Sequence, residues 1–341
     1  MRLSKMISAL AISSMLLMSG CGGSTAEQPS SNSPQPSPSV ETETPTQQSD
    51  PPSAPVKGDL TIKMLNVGQG DAILIQTKKQ NILIDTSDLD ERDKLVAELE
   101  KTRIRKLDRV ILTHPHADHI GGIERLIKDG KLNIKEIDDN SMDSTSKIYK
   151  NYEKAAAAAG IPIGHLKDGD VLDFGGGVKF KVYYPTAELI SSGAQKGYKH
   201  DPNNESVVGH LTYKNFSMLF TGDAEKKVEN DLLNSAHRSE LKSVVFKASH
   251  HGSKTSAGLD FMKTVAPEYV VISAGEPDVE GGNTYGHPHK AALNNYLKAG
   301  VDRSKIYWTY KNGTITISTD GKAWSVTPEV ESSWLDAWLD K

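Results

Sequence analysis

The sequence predicts one α/β domain over residues 58–341, with two sheets packed face to face and helices on the outside. Strand-like runs alternate with amphipathic helical stretches and turn signals throughout this region, and no linker-like segment divides it. Hydrophobic residues make up 37% of the 341-residue chain and charged residues 25%, a balance suited to a folded soluble domain. Lys plus Arg number 40 against 44 Asp plus Glu, a formal net charge of -4. That argues against a strongly basic protein that coats nucleic acid, though it leaves room for a local basic patch. The single cysteine excludes a disulfide scaffold, a Cys-rich zinc knuckle and an iron–sulfur cluster.

Residues 1–20 carry two cations, an apolar run from Met6 to Met18 and small residues, the pattern of a secretory signal. Leu17-Met18-Ser19-Gly20-Cys21 resembles a bacterial lipobox, which implies cleavage before Cys21 and lipidation of that residue. Two acyl chains suffice for stable anchoring, so the expected location is the extracytoplasmic face of a bacterial membrane. Residues 21–57 then form a tether. Positions 24–57 hold eight of the chain's 16 prolines, eight serines and four threonines, too little apolar surface to offset ordering entropy.

From Asp59 the pattern changes. Leu60–Val67, Ala72–Ile75 and Asn81–Ile84 read as strands, and Gly68-Gln69-Gly70-Asp71 as the turn between the first two. Residues 90–103 place Leu95, Val96 and Leu99 on one helical face. Arg109–Leu112 is a short buried-type strand, followed by helices near 122–129 and 146–159. Further strands are expected at Val178–Tyr184, Ser206–Tyr213, Phe216–Phe220, Ser243–Phe246 and 269–273, with helices over 224–235, 256–264 and 288–298. Phe174-Gly175-Gly176-Gly177 reads as a turn rather than a phosphate-binding loop. Ile306–Tyr310 and Thr314–Ile317, joined by Lys311-Asn312-Gly313, read as a hairpin. Trp334 and Trp338, at helical spacing, are expected to pack back on the domain.

Thr113-His114-Pro115-His116-Ala117-Asp118-His119 carries the chemistry. His114 and His116 stand two apart at a strand end, so extended backbone turns both rings to one side, and Pro115 stiffens the geometry between them. Asp118 and His119 return in the same loop. Imidazoles and a carboxylate without thiolate suit zinc, manganese or iron.

His-x-His-x-Asp-His after a short apolar strand resembles the metallo-β-lactamase superfamily, over nearly all of residues 60–320. The resemblance implies an αββα sandwich with a metal site between the sheets. Within that superfamily, Asn66–Ala72, Asn203–Val208, Leu219–Glu225, Lys247–Ser256 and Tyr285-Gly286-His287-Pro288 resemble the extracellular hydrolase domain of ComEC-type DNA-uptake proteins. By that resemblance His114 and His116 bind one metal, Asp118 and His119 the other, and Asp223 bridges them. Either His250 or His251 completes the ligand set of the second metal, with the Ser-His-His-Gly setting favouring His251. Asp85 matches a structural aspartate, and His287 a position that orients substrate or protonates a leaving group. One departure concerns the third ligand of the first metal. The neighbourhood reads His200-Asp201-Pro202-Asn203-Asn204, so either His200 swings in or the first metal keeps only His114, His116, Asp223 and water.

The expected function is a membrane-anchored hydrolase of phosphodiester bonds with two divalent metals, Zn²⁺ or Mn²⁺, acting on DNA or RNA. Asp118 would orient the nucleophile, and Lys247, Lys254, Lys196 and Lys199 stand near the motifs as candidate phosphate contacts. Two other readings compete: an envelope phosphodiesterase such as a phosphorylcholine esterase, and a non-catalytic binding module on the same fold.

Overall fold

The computed structural model describes residues 58–278 and 283–340; the signal segment, Cys21 and the tether lie outside the described residues. The chain opens with an antiparallel meander of β1 (Leu60–Met64), β2 (Ile73–Gln76) and β3 (Asn81–Ile84). In β1, Leu60, Ile62 and Met64 are buried while Thr61 and Lys63 are half-buried, the alternation of a strand with one covered face. Helix α1 (Arg92–Lys101) buries Leu95 and Leu99 as the spacing predicts. A two-stranded pairing of β4 (Lys106–Leu107) with β6 (Asn133–Ile134) brackets β5 (Arg109–Ile111), α2 (Ala117–Ile120) and α3 (Ile123–Asp129). Then come β7 (Ile137–Asp139), α4 (Lys147–Ala159) and β8 (Ile163–His165). The Ser146 hydroxyl caps α4 by accepting from the Tyr149 N–H, and Gly160 ends it at φ 67°.

The second sheet begins with β9 (Val171–Gly175) and β10 (Val178–Tyr184), joined by the expected glycine turn. After α5 (Ala187–Gly193) it continues with β11 (Val208–Tyr213) and β12 (Phe216–Phe220). Helices α6 (Lys226–Asn234), α7 (Leu259–Val265) and α8 (Lys290–Lys298) connect β12 to β13 (Val245–Lys247), β14 (Tyr269–Ile272) and β15 (Ile306–Trp308), all parallel. The chain then crosses back through α9 (Thr309–Asn312) to β16 (Ile315–Thr319) and β17 (Trp324–Pro328), and ends in α10 (Trp334–Leu339).

Strand order is β17-β16-β1-β2-β3-β5-β7-β8 in one sheet and β15-β14-β13-β12-β11-β10-β9 in the other. Each is antiparallel in one half and parallel in the other. Ile62, Ile75, Phe180, Phe216 and Val245 belong to a core between the sheets. The outer face of the first sheet is covered by α1, α3 and α4, that of the second by α6, α7, α8 and α10. This is the expected αββα sandwich.

One expected element is corrected. Ile306–Tyr310 and Thr314–Ile317 do not form a hairpin: β15 pairs with β14, whereas β16 pairs with β1 in the other sheet. The Asn312 side chain accepts from the Trp308 N–H and donates to the Val330 carbonyl, so the Asn-Gly pair caps a crossing between sheets. The hairpin lies one strand later, between β16 and β17, with Gly321 in its turn at φ 83°. Trp334 packs on Trp308, and Trp338 donates its indole N–H to the Pro288 carbonyl at 2.9 Å, so the C-terminal helix docks on the domain as expected.

The site-bearing loops leave the carboxyl ends of β3, β5, β12, β13 and β14, all in the parallel halves, where α/β sheets commonly bind ligands. Glu229 of α6 fastens one of them, accepting from the N–H groups of Ala257 and Gly258 at 2.6 and 2.8 Å. Burial nevertheless pushes its carboxyl up to about 7. A raised carboxyl stabilises the fold while protonated. That contribution is full below the ordinary value near 4.5 and is lost as pH rises through 7. Urea unfolding with chelator present should therefore show wild type losing up to about 3 kcal/mol relative to Glu229→Gln between pH 4.5 and 8. A pH-independent difference would contradict this.

Candidate metal centre

Asp223 lies at the middle of the site. It follows β12 and is buried, with its N–H donating to the Ser206 hydroxyl at 3.1 Å. Helix α6 starts at Lys226 behind Glu225, so Asp223 is not its cap. His119 Nε2 lies 3.2 Å from one carboxylate oxygen of Asp223; His251 Nε2 and His114 Nε2 lie 3.4 and 4.0 Å from the other. Asp118 reaches the same volume, 3.1 Å from His251 Nε2. Donor atoms of Asp118, His119, Asp223 and His251 all fall within 4.8 Å of one another. His114 Nε2 and His116 Nδ1, 3.0 Å apart, make a further pair of imidazole donors beside Asp223.

Each inward ring is aimed by a partner on its other nitrogen. Asp85, at the end of β3, accepts from His119 Nδ1 at 2.7 Å and from the Thr113 N–H and hydroxyl at 2.8 Å. It thereby joins β3 to the histidine loop. His251 Nδ1 donates to the Ser273 carbonyl at 2.8 Å, which leaves Nε2 free to ligate. His250 and His251 both have left-handed backbone, φ 47° and 54°, an uncommon state for non-glycine residues. These successive turns send His251 inward and His250 toward the rim. There, His250 Nδ1 contacts Thr255 at 3.2 Å and Glu225 at 3.3 Å, and Nε2 stands 3.8 Å from Asp223.

His200 does not swing in. It is a third exposed and meets Glu205 at 3.2 Å. Asn203 lines the cleft instead, and its side-chain oxygen is buried without a hydrogen-bond partner. Other buried polar atoms lacking partners among the described residues include His119 Nε2, His251 Nε2, Asp223 Oδ1 and His287 Nδ1. Unpaired buried polar atoms are costly, and their concentration here fits residues built to hold cations. The cluster suits a dinuclear metal site.

Electrostatics agree. Burial would raise the Asp223 and Asp118 carboxyls, but the neighbouring imidazoles His119 and His251 hold both well below the usual carboxylate range. Burial opposes charge on His251, yet Asp223, Asp71 and Asp118 push it up to about 10; His119 is raised likewise. The carboxylates demand positive charge at their common centre, from imidazolium protons or from divalent cations. His287, buried against His251, is pushed down to about 3 by that burial and by its histidine neighbours. It is neutral at pH 7, which suits hydrogen bonding to substrate better than protonating a leaving group.

Two residues under the site escaped sequence reasoning. Asp71, in what the sequence presents as a turn, and Lys247, taken for a phosphate contact, are both buried and form an ion pair. Asp71 lies 3.6 Å from His251 Nδ1 and 3.9 Å from His119 Nδ1. Its N–H donates to the Asp118 carbonyl at 3.0 Å. Gly70 makes that approach possible: at φ 108°, a Cβ there would stand 2.3 Å from the Asp118 carbonyl oxygen. The signal was present in a glycine-flanked aspartate and a lysine at the end of an apolar strand, but only the fold brings them together. Lys254 lines the cleft, while Lys196 and Lys199 are exposed on the loop before Asn203.

An αββα sandwich with this His/Asp cluster at its sheet ends defines a metal-dependent hydrolase fold. The chain belongs to the metallo-beta-lactamase superfamily, whose family model matches residues 65–275. It is 31% identical over 292 residues to ComE operon protein 3 of Bacillus subtilis, covering 80% of this chain and 35% of that protein. Competence protein ComA of Neisseria gonorrhoeae is 26% identical over 251 residues, covering 73% of this chain and 31% of that one. The chain thus spans about a third of the length of these relatives. The metallo-beta-lactamase fold protein YhfI from Bacillus subtilis superposes with a TM-score of 0.47 at 11% identity, covering 74% of this chain and 98% of its own.

Two outcomes follow from the geometry. His251→Ala should lower the metal content of the Zn²⁺-loaded protein by about one ion per chain, measured by mass spectrometry of the metals, whereas His250→Ala should not. Equal loss from both variants would contradict the inward assignment of His251. Lys247→Met, which leaves the Asp71 carboxylate buried alone, should cost roughly 3–5 kcal/mol in chemical denaturation. The Asp71→Asn/Lys247→Met pair should recover part of that loss.

Proposed function

We propose that this chain is a membrane-anchored, extracytoplasmic phosphodiesterase with two divalent metals, Zn²⁺ or Mn²⁺, that cleaves single- or double-stranded nucleic acid. The observation that carries the reading is the Asp223 carboxylate, reached by His119, His251 and His114 at 3.2, 3.4 and 4.0 Å, at the floor of a cleft of about 770 Å³. The resemblance to DNA-uptake proteins, with a relative named as competence protein ComA, supports nucleic acid as the substrate. Anchoring rests on Cys21; among the described residues no helix is long and apolar enough to cross a membrane.

His114, His116, Asp223 and the Asn203 side chain would hold one ion, and Asp118, His119, His251 and Asp223 the other. When bound, such a pair supplies Lewis acidity to a phosphoryl group and lowers the pKa of water. The protein's part is to fix that geometry. Asp85 and the Ser273 carbonyl lock two imidazoles in orientation, and Asp118 orients the attacking water by accepting its hydrogen bond. Neutral His287 lines the cleft with a buried Nδ1 that has no hydrogen-bond partner. The rim is divided. Asp88 and Asp90 line one part, and the Lys254 cation lines the part around His287, where burial holds the His250 and His289 imidazoles below their ordinary value. A polyanion is favoured along the basic part.

The full chain, loaded separately with Zn²⁺ and Mn²⁺, should cut end-labelled DNA, and Asp118→Asn should reduce that rate at least about a hundredfold. Cleavage of small envelope phosphodiesters with no strand cutting would move the substrate to the cell envelope. Metal binding without any hydrolysis would favour a binding module.

A further inference from the structure

The motif Tyr285-Gly286-His287-Pro288 contributes more than a histidine. Tyr285 is 67% exposed, one of three large hydrophobic side chains so exposed among the described residues, and it lines the mouth of the metal cleft. Its ring is stacked on His287, with centroids 5.6 Å apart and planes 17° apart. His287 is in turn stacked on His251, 5.9 Å away at 26°. Three nearly parallel rings therefore lead from the metal floor to the surface, and the outermost keeps a face open.

The platform is built into the fold. Asn283, fully buried, accepts from the His287 N–H at 3.1 Å and donates to the Gly275 carbonyl at 3.2 Å, so it brackets the Tyr285–Gly286 turn. His289 braces His287 edge-on at 4.9 Å, and its Nδ1 accepts from the Lys254 N–H at 3.1 Å. The Lys254 side chain lines the same cleft. A flat aromatic face and a cation lining the same cleft make the combination that single-stranded nucleic-acid sites use: bases stack while phosphates meet charge.

We infer that Tyr285 is a stacking platform for an unpaired nucleobase next to the scissile phosphate, which makes single strands the preferred substrate. This rests on the nucleic-acid reading above. A base held within a duplex has both faces occupied and cannot use the ring, whereas an unpaired base can. A prepositioned ring also gains its stacking contact at small entropic cost.

The test uses the full chain loaded with Mn²⁺ and two single-stranded oligothymidylates, one intact and one with abasic residues around the cut site. Cleavage kinetics are read on wild type, Tyr285→Ala and Tyr285→Trp. Binding is read separately by fluorescence anisotropy with Asp118→Asn as the background. Wild type should prefer the intact strand about tenfold in KM. Tyr285→Ala should abolish that preference with kcat for the intact strand little changed, and Tyr285→Trp should restore it. If wild type cuts both strands with equal KM, or Tyr285→Ala keeps the preference, the platform is overturned and the phosphodiesterase reading survives. If no strand is cut but intact strands bind tenfold tighter through Tyr285, base stacking on Tyr285 stands, while its place beside a scissile phosphate falls with the nuclease reading. If strands are neither cut nor bound, both fall.

Discussion

The meeting of one buried and one half-buried carboxylate at a single point is the constraint around which the rest of this fold is arranged. Asp223 is 2% exposed and Asp118 approaches it through His251. Charges placed there without compensation would be expelled or neutralised. The protein surrounds them with four imidazoles and sets a second, complete ion pair, Asp71–Lys247, directly beneath. These groups come from strand ends and loops of both sheets, so the requirement for charge balance ties the sheets together. The parallel halves supply the means. Carboxyl ends of β3, β5, β12, β13 and β14 deliver Asp85, His114, Asp223, His251 and the Ser273 carbonyl to one volume.

Much of this was legible in the sequence because it is local. Alternating burial in β1 and β10 and the Ser146–Gly160 brackets of α4 follow from residue periodicity and capping. His114, His116, Asp118 and His119 are read together because one strand end and one turn carry all four. What depended on tertiary placement was not legible. Asn312-Gly313 has the composition of a hairpin turn, yet Asn312 spends its side chain joining Trp308 to Val330, and the chain crosses to the other sheet. Asp71 and Lys247 are separated by 176 positions' worth of chain, which only the numbering relates. No local pattern could pair them.

The choice between His250 and His251 lay between these extremes. One residue of register decides which ring points inward, and periodicity does not apply in a left-handed turn. Two successive positive φ angles, held by His250 N–H to the Gly222 carbonyl and Ser253 N–H to the His250 carbonyl, settle the direction of each ring. Strain of this kind persists only where the surroundings over-determine it. Here it is offset by contacts that also fix the centre.

The floor and the rim of the cleft are consequently different kinds of structure. Floor residues are buried and linked through strand ends, so a change at any one disturbs charge balance for all. Such a floor recognises only what every phosphodiester shares, an oxygen-rich, developing negative charge. It cannot distinguish a nucleotide from a lipid headgroup. Discrimination must come from groups that meet the rest of the substrate, and those are rim groups: Lys254, His289 and the open face of Tyr285. They are carried by loops whose backbone is fastened from behind by Asn283 and Glu229, away from the carboxylates. Rim side chains can therefore change what enters without altering the electrostatics that make the floor reactive. Fold alone leaves the substrate open for this reason, and the chemistry of the rim narrows it.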